Sequence, residues 1–66
     1  MQLTWTDTLE IAIALDEAYP DVEPTQINFV DLMQKVQALP GFQGDADRCG
    51  EKILEAIQMT WIEERE

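Results

Sequence analysis

The chain has 66 residues, of which 14 are Asp or Glu, 4 are Lys or Arg and none is histidine. The formal net charge of −10 at pH 7 argues against nucleic acid and anionic membrane as partners, because phosphate groups are repelled. It favours a cationic partner, either a basic protein surface or a hard metal cation. Cys49 is the single cysteine, which is typical of a reducing cytosol. We therefore predict a cytoplasmic protein with one domain, residues 1–66, and no membrane span.

The first predicted helix follows the segment Leu3-Thr4-Trp5. Thr6 or Asp7 can cap it, and Asp7, with Glu10 three residues later, resembles a capping box. Apolar residues at helical spacing then predict one buried stripe: Ile11, Ala14, Leu15 and Ala18. Pro20 ends the helix, because the residue before a proline resists helical geometry.

Two further apolar residues, Leu9 and Ile13, lie four residues apart on the opposite face of this helix. Either the helix is covered on two sides, or these side chains form a small exposed patch, which would indicate a contact surface. Because like charges oppose self-association, we expect a monomer. A dimer through the patch is the alternative.

The second helix is predicted to begin at Asn28 or Asp31, to run to about Leu39, and to end at Pro40-Gly41. Its expected inner face comprises Phe29, Leu32, Val36 and Leu39. Asp45 or Asp47 is the expected cap of the third helix. The apolar period of that helix comprises Ile53, Leu54, Ile57 and Trp61.

These elements predict a mainly α fold, a small three-helix bundle of the helix-turn-helix or winged-helix-like type. We expect both Trp5 and Trp61 in the core. Residues 3–5 and 27–29 either pair as a wing-like ribbon or pack without pairing.

Enzymatic chemistry is disfavoured by composition. Without histidine, a Ser-His or Cys-His nucleophile pair is impossible. Paired carboxylates need a deep cleft with raised pKa values, for which a domain of this size has little room. We therefore predict that the protein is not an enzyme.

Cys49, beside Arg48 at the expected helix N-terminus, is either a thiol with a lowered pKa or an incidental thiol, and we favour the second interpretation.

Carboxylates are hard oxygen ligands that suit calcium, magnesium, manganese or iron. Residues 44–47 lack the remainder of a calcium-binding loop pattern, so we expect surface acids to bind metal ions only weakly.

The turn Tyr19-Pro20-Asp21 is either a simple helix stop with an aromatic lid or a rigid recognition edge. Its acidic neighbours are Asp16, Glu17 and Glu23.

Several motifs together resemble one family. These are Trp5-Thr6-Asp7, Glu10-Ile11, Ala18-Tyr19-Pro20-Asp21, Phe29-x-Asp31 and Glu51-Lys52-Ile53-Leu54-Glu55-Ala56-Ile57 followed by Trp61. The combination resembles the IscX family of small acidic bacterial proteins associated with iron–sulfur cluster assembly, and it covers the whole chain. Leu9 and Ile13 stand where polar residues are expected in that pattern.

The resemblance implies a winged-helix-like regulatory adaptor that binds the cysteine desulfurase of the housekeeping cluster machinery near its active site. It implies competition there with frataxin and ferredoxin, and weak iron binding through surface carboxylates. The residues that match the expected metal-binding surface are Asp7, Glu10, Asp21 and Asp31. The expected partner-binding face adds Asp16, Glu17, Tyr19 and Glu23. The alternatives are an iron carrier for the cluster scaffold and, least favoured because its helices carry so few cations, a DNA-binding module.

Overall fold

The computed structural model describes residues 3–65, apart from the side chain of Ala46. Met1, Gln2 and Glu66 of the predicted 1–66 domain lie outside the described residues. Within that range the chain forms α1 (Thr8–Ala18), α2 (Phe29–Gln37) and α3 (Glu51–Arg65), with a short 3-10 turn at Ala46–Arg48. The prediction of a mainly α fold with three helices is confirmed. None of the described helices is long and apolar enough to cross a membrane.

The core lies mainly between α1 and α3, and α2 closes it from one side. Both tryptophans belong to this core, as predicted. The buried apolar side chains are Leu3, Trp5, Ile11, Ala12, Leu15, Leu32, Val36, Leu39, Leu54, Ile57 and Trp61. The inner faces predicted for α2 and α3 are thereby confirmed, with Phe29 and Ile53 half-buried at their edges.

The inner stripe of α1 differs from the prediction at one edge. Ala12 is fully buried, whereas Ala14 is half-buried and Ala18 is exposed. The face of α1 that packs on α3 therefore includes Ala12 beside Ile11 and Leu15 and leaves Ala18 outside.

The predicted capping box at the start of α1 is wrong. Asp7 is the N-cap residue, but its carboxylate makes no hydrogen bond to the helix. Its Oδ2 instead accepts from the Thr4 backbone N–H at 2.9 Å and from Thr4 Oγ1 at 3.3 Å. The Asp7 N–H donates to the Thr4 carbonyl at 3.0 Å, so the box partner Glu10 finds no free donor there. Asp7 thus closes the turn that places Trp5.

Helix α2 begins as predicted. Asn28 is the N-cap, and its side-chain oxygen accepts from the Asp31 N–H at 2.8 Å. The helix ends at Gln37, two residues earlier than predicted, and Leu39 turns back to donate to the Val36 carbonyl at 3.1 Å. Gly41 follows with a φ of 82°, a left-handed conformation that glycine adopts without strain.

Neither Asp45 nor Asp47 caps α3, so that prediction is wrong. The indole Nε1 of Trp5 donates to the Asp45 carbonyl at 2.7 Å, and the Arg48 N–H donates to the same oxygen at 3.0 Å. This segment therefore winds into a 3-10 turn against Trp5. Helix α3 starts only after Gly50, whose carbonyl accepts from the Leu54 N–H at 3.2 Å.

The proposed ribbon between residues 3–5 and 27–29 is also wrong, because Asn28 serves as a helix cap. Leu3 pairs with Phe42 in an isolated parallel bridge. The Leu3 N–H donates to the Gly41 carbonyl at 2.9 Å, and the Gln43 N–H donates to the Leu3 carbonyl at 2.7 Å. Residues 3–65 contain this bridge and no strand longer than it, so the winged-helix-like comparison is not confirmed.

Candidate functional site

The predicted interface residues follow one path along the molecule, from the start of α1 to the start of α2. Glu10 and Glu17 are exposed on α1, Asp21 and Glu23 are exposed in the α1–α2 loop, and Asp31 is exposed in the first turn of α2. These five carboxylates reach solvent freely. The other three members of the predicted face, Asp7, Asp16 and Tyr19, are half-buried.

Asp16 is held by an arginine that the sequence analysis did not identify. Arg65, at the end of α3, donates from Nε to Asp16 Oδ1 at 2.7 Å. Its Nη2 donates to the Tyr19 carbonyl at 3.1 Å, and its Nη1 donates to the Val22 carbonyl. One guanidinium group therefore joins the last turn of α1 to the loop that carries Asp21. Because a basic residue in the last turn of a helix is commonplace, no local signal marks this one as different.

Tyr19 packs against the core and lies beneath a second cation. Its ring centroid is 5.2 Å from Lys35 Nζ, a distance suited to a cation–π interaction. The Tyr19 carbonyl also accepts from the Val22 N–H at 3.2 Å. The turn is therefore fixed to both α2 and α3, which gives the following acidic residues a defined position.

Glu23 and Asp31 face a shared cleft of about 270 Å³. Lys35 lies on the same cleft, together with Val22, Gln26 and Ile27. Glu23 accepts from the Thr25 hydroxyl at 3.0 Å, and Asp31 accepts from the Asn28 side chain at 3.3 Å. Two acidic residues that lie eight positions apart in sequence thus come together on either side of one shallow opening.

A larger cleft of about 480 Å³ lies beside Trp5 and contains none of the predicted site residues. Its lining comprises Thr4, Trp5, Thr6, Gln43, Gly44, Asp45, Arg48 and Ile53.

The four expected metal ligands do not converge. Asp7 and Glu10 lie at the N-terminal end of α1, and Asp21 lies beyond its C-terminal end. Helix α1, with 11 residues, separates Asp7 from Asp21 by about 16 Å at 1.5 Å per residue. Among residues 3–65, no three carboxylate or thiol groups are close enough to hold a metal ion together. The donor chemistry suits iron, but the described residues provide no preformed cage, and weak iron binding stays a prediction.

The two alternatives for Leu9 and Ile13 are resolved by their exposure. Leu9 is 51% exposed and Ile13 is 37% exposed, so α1 is covered on one side only. The two side chains form an apolar patch beside Glu10 and Glu17 on the outer surface of α1.

Cys49 is half-buried ahead of α3 and packs against the core. Burial raises the pKa of the Cys49 thiol, because a thiolate loses hydration there. The interpretation as a thiol with a lowered pKa is therefore wrong.

Comparison with known proteins decides the family. The family model described as iron–sulphur cluster assembly matches residues 3–66. The chain belongs to the IscX family. It is also 61% identical, over 66 residues and the full length of both chains, to a protein of Pseudomonas aeruginosa named Uncharacterized protein PA3808.

Membership of the IscX family gives this protein a role in iron–sulfur cluster assembly, as an accessory protein of the assembly machinery rather than a known catalyst. The predicted resemblance is thereby confirmed.

Proposed function

We propose that this protein is an adaptor that binds the cysteine desulfurase of the housekeeping cluster machinery and regulates sulfur transfer. The observation that carries the proposal is the acidic path, defined as Glu10, Glu17, Asp21, Glu23 and Asp31. All five are exposed, on a chain whose net charge is −10. Family membership supplies the process in which such a face acts.

The physical basis is electrostatic steering toward a surface rich in Arg and Lys. Exposed charges attract over roughly a Debye length, about 10 Å at 0.1 M salt. Such attraction mainly raises the association rate and is lost as salt rises. Any other acidic protein that uses the same basic surface, as frataxin and ferredoxin are expected to do, competes with this one.

The loop that carries Asp21 and Glu23 is held in place before binding. Arg65 binds its carbonyls from α3, and Tyr19 anchors it beneath Lys35. A face that is already ordered loses less conformational entropy on association than a mobile one. Weak iron binding by the same carboxylates would cancel part of their charge, so iron and the desulfurase would compete for the face.

The test is calorimetric titration of the protein into the desulfurase of its own organism at low and at moderate salt. The variant Glu10→Gln/Glu17→Gln/Asp21→Asn changes the net charge from −10 to −7. Asp7 is left unchanged because it closes the turn before α1. At about 0.2–1 kcal/mol for each of the three exposed charge pairs, we expect a dissociation constant raised roughly 3- to 150-fold and a shallower salt dependence.

The matched control is Glu55→Gln/Glu63→Gln/Glu64→Gln, which removes the same charge from exposed positions on α3. We expect it to bind within about threefold of wild type. Equal weakening by both variants would mean that net charge alone, and no particular face, attracts the partner. Absence of binding by wild type at both salts would reject the adaptor function.

The alternative of an iron carrier for the cluster scaffold is tested on the free protein. Tight, stoichiometric iron binding without the desulfurase would favour it over the adaptor.

A further inference from the structure

Helix α1 is apolar on two faces, although the fold covers one. Ile11, Ala12 and Leu15 are fully buried, whereas Leu9 is 51% and Ile13 is 37% exposed on the opposite side. A helix that is apolar all round is typical of one buried on both sides. Within residues 3–65, nothing packs over the second side closely enough to bury it.

The exposed pair differs from the other exposed apolar side chains of the described chain. Val30 and Met59 are each 61% exposed, but they lie on different helices. Leu9 and Ile13 lie at i and i+4, the spacing at which side chains on a helix surface are neighbours. They therefore form one continuous patch.

Two carboxylates border one side of this patch, and an ion pair borders the other. Glu10 is three residues before Ile13 and Glu17 is four residues after it, and both are exposed. Asp16, three residues after Ile13 on the other side, is neutralised by Arg65 at 2.7 Å. An apolar centre with a polar rim is the usual anatomy of a protein–protein interface.

We propose that Leu9 and Ile13 are the apolar anchor of the interface with a cationic protein, whose contact surface is apolar at its centre and bordered by Lys or Arg. This inference deepens the proposed function and takes the desulfurase as that protein. A second copy of this chain fits poorly, because Glu10 and Glu17 of each copy would meet like charge on chains of net charge −10.

The apolar anchor would supply affinity that persists at high salt, which the carboxylates cannot supply. Exposed ion pairs each contribute little and weaken with salt. Aliphatic side chains that lose water at the centre of an interface contribute in proportion to the apolar area they bury, and this contribution is not screened by salt as that of an ion pair is. Steering by the acidic path and retention by the patch are then separable in experiment.

The test compares Leu9→Ala/Ile13→Ala with the control Val30→Ala/Met59→Ala, each without change of charge. Titration into the desulfurase is repeated at several salt concentrations. We expect the first variant to raise the dissociation constant about 10- to 100-fold at every salt, with an unchanged slope of log affinity against log salt. We expect the control to stay within about threefold of wild type. Wild-type affinity of the Leu9→Ala/Ile13→Ala variant would overturn the proposal.

A second experiment tests the apolar anchor without the desulfurase, so its outcome does not depend on the adaptor function. An amphipathic helical peptide of Lys and Leu is titrated into the labelled protein, beside a peptide of equal charge with Ala in place of Leu. We expect NMR shifts centred on Leu9 and Ile13, and a preference for the Leu peptide that the Leu9→Ala/Ile13→Ala variant loses. Equal binding of both peptides, or a dimer of the free protein that this variant dissociates, would overturn the proposal.

Discussion

Gly44 is the residue whose substitution tests the packing around Trp5 most directly. A Cβ placed there would lie 2.6 Å from Trp5 Nε1 and 2.6 Å from Phe42 Cζ, far inside the 3.5–4.0 Å at which carbon atoms attract. The two rings are in edge contact at 4.7 Å between centroids. The Trp5 Nε1 also donates to the Asp45 carbonyl at 2.7 Å. Gly44→Ala therefore disrupts an edge-to-face aromatic pair and a hydrogen bond at once.

The expected magnitude follows from these two losses. Overpacking costs about 1–3 kcal/mol, and loss of a hydrogen bond costs about 0.5–1.5 kcal/mol. A domain of this size has a free energy of unfolding of about 3–5 kcal/mol. We expect Gly44→Ala to remove about 2–4 kcal/mol of it. At about 4–8 °C for each kcal/mol, the melting temperature falls by roughly 10–30 °C.

The assay is urea unfolding followed by tryptophan fluorescence, with thermal melting followed by circular dichroism. Gly50→Ala is the matched control, because a Cβ at Gly50 meets no atom within 4 Å. Because Gly50 directly precedes α3, where alanine caps a helix less well than glycine, we expect its unfolding free energy to fall by no more than about 1 kcal/mol. If the two alanine variants unfold at the same urea concentration, the argument from close packing at Gly44 is refuted.

Two further predictions concern Arg65 and Cys49. Arg65→Ala loses an ion pair to Asp16 and two bonds to loop carbonyls, so we expect urea unfolding to show a loss of about 1–2 kcal/mol. Arg65→Lys should recover only part of it, because one ammonium group cannot reach three acceptors; wild-type stability of Arg65→Ala would contradict this. Burial raises the pKa of Cys49, so the folded thiol should react with iodoacetamide more slowly at pH 8 than the urea-unfolded chain. Because the folded state holds that proton more tightly, stability should fall as pH rises through the ordinary thiol range; equal alkylation rates would contradict the reasoning.

The elements that sequence predicted correctly depend on local chemistry. The period of Leu32, Val36 and Leu39 predicted the buried face of α2, and Asn28 begins that helix as its side-chain oxygen allows. Pro20 ends α1, because the residue before a proline resists helical geometry. A contact with a distant residue could override these local effects only at a large cost in folding free energy.

The predictions that failed were decided by contacts far along the chain. Trp5 binds the Asp45 carbonyl from 40 positions away, and that bond accompanies a 3-10 turn where a helix cap was expected. Leu3 pairs beside Phe42 rather than with residues 27–29, because Asn28 is already committed to its helix. Thr4 binds the Asp7 carboxylate that was expected to join a capping box.

The same division holds for the functional surface. The amino-acid sequence by itself determined the net charge, the absence of histidine chemistry, the three amphipathic segments and the motifs of the IscX family, because each depends on residue identity and local spacing. Only the tertiary structure decided which groups remain free to act. Arg65 engages Asp16 from 49 positions away, and the packing of α1 on α3 leaves Leu9 and Ile13 in solvent. Those outcomes depend on which side of each helix the core covers, and that is settled only when all the helices pack together.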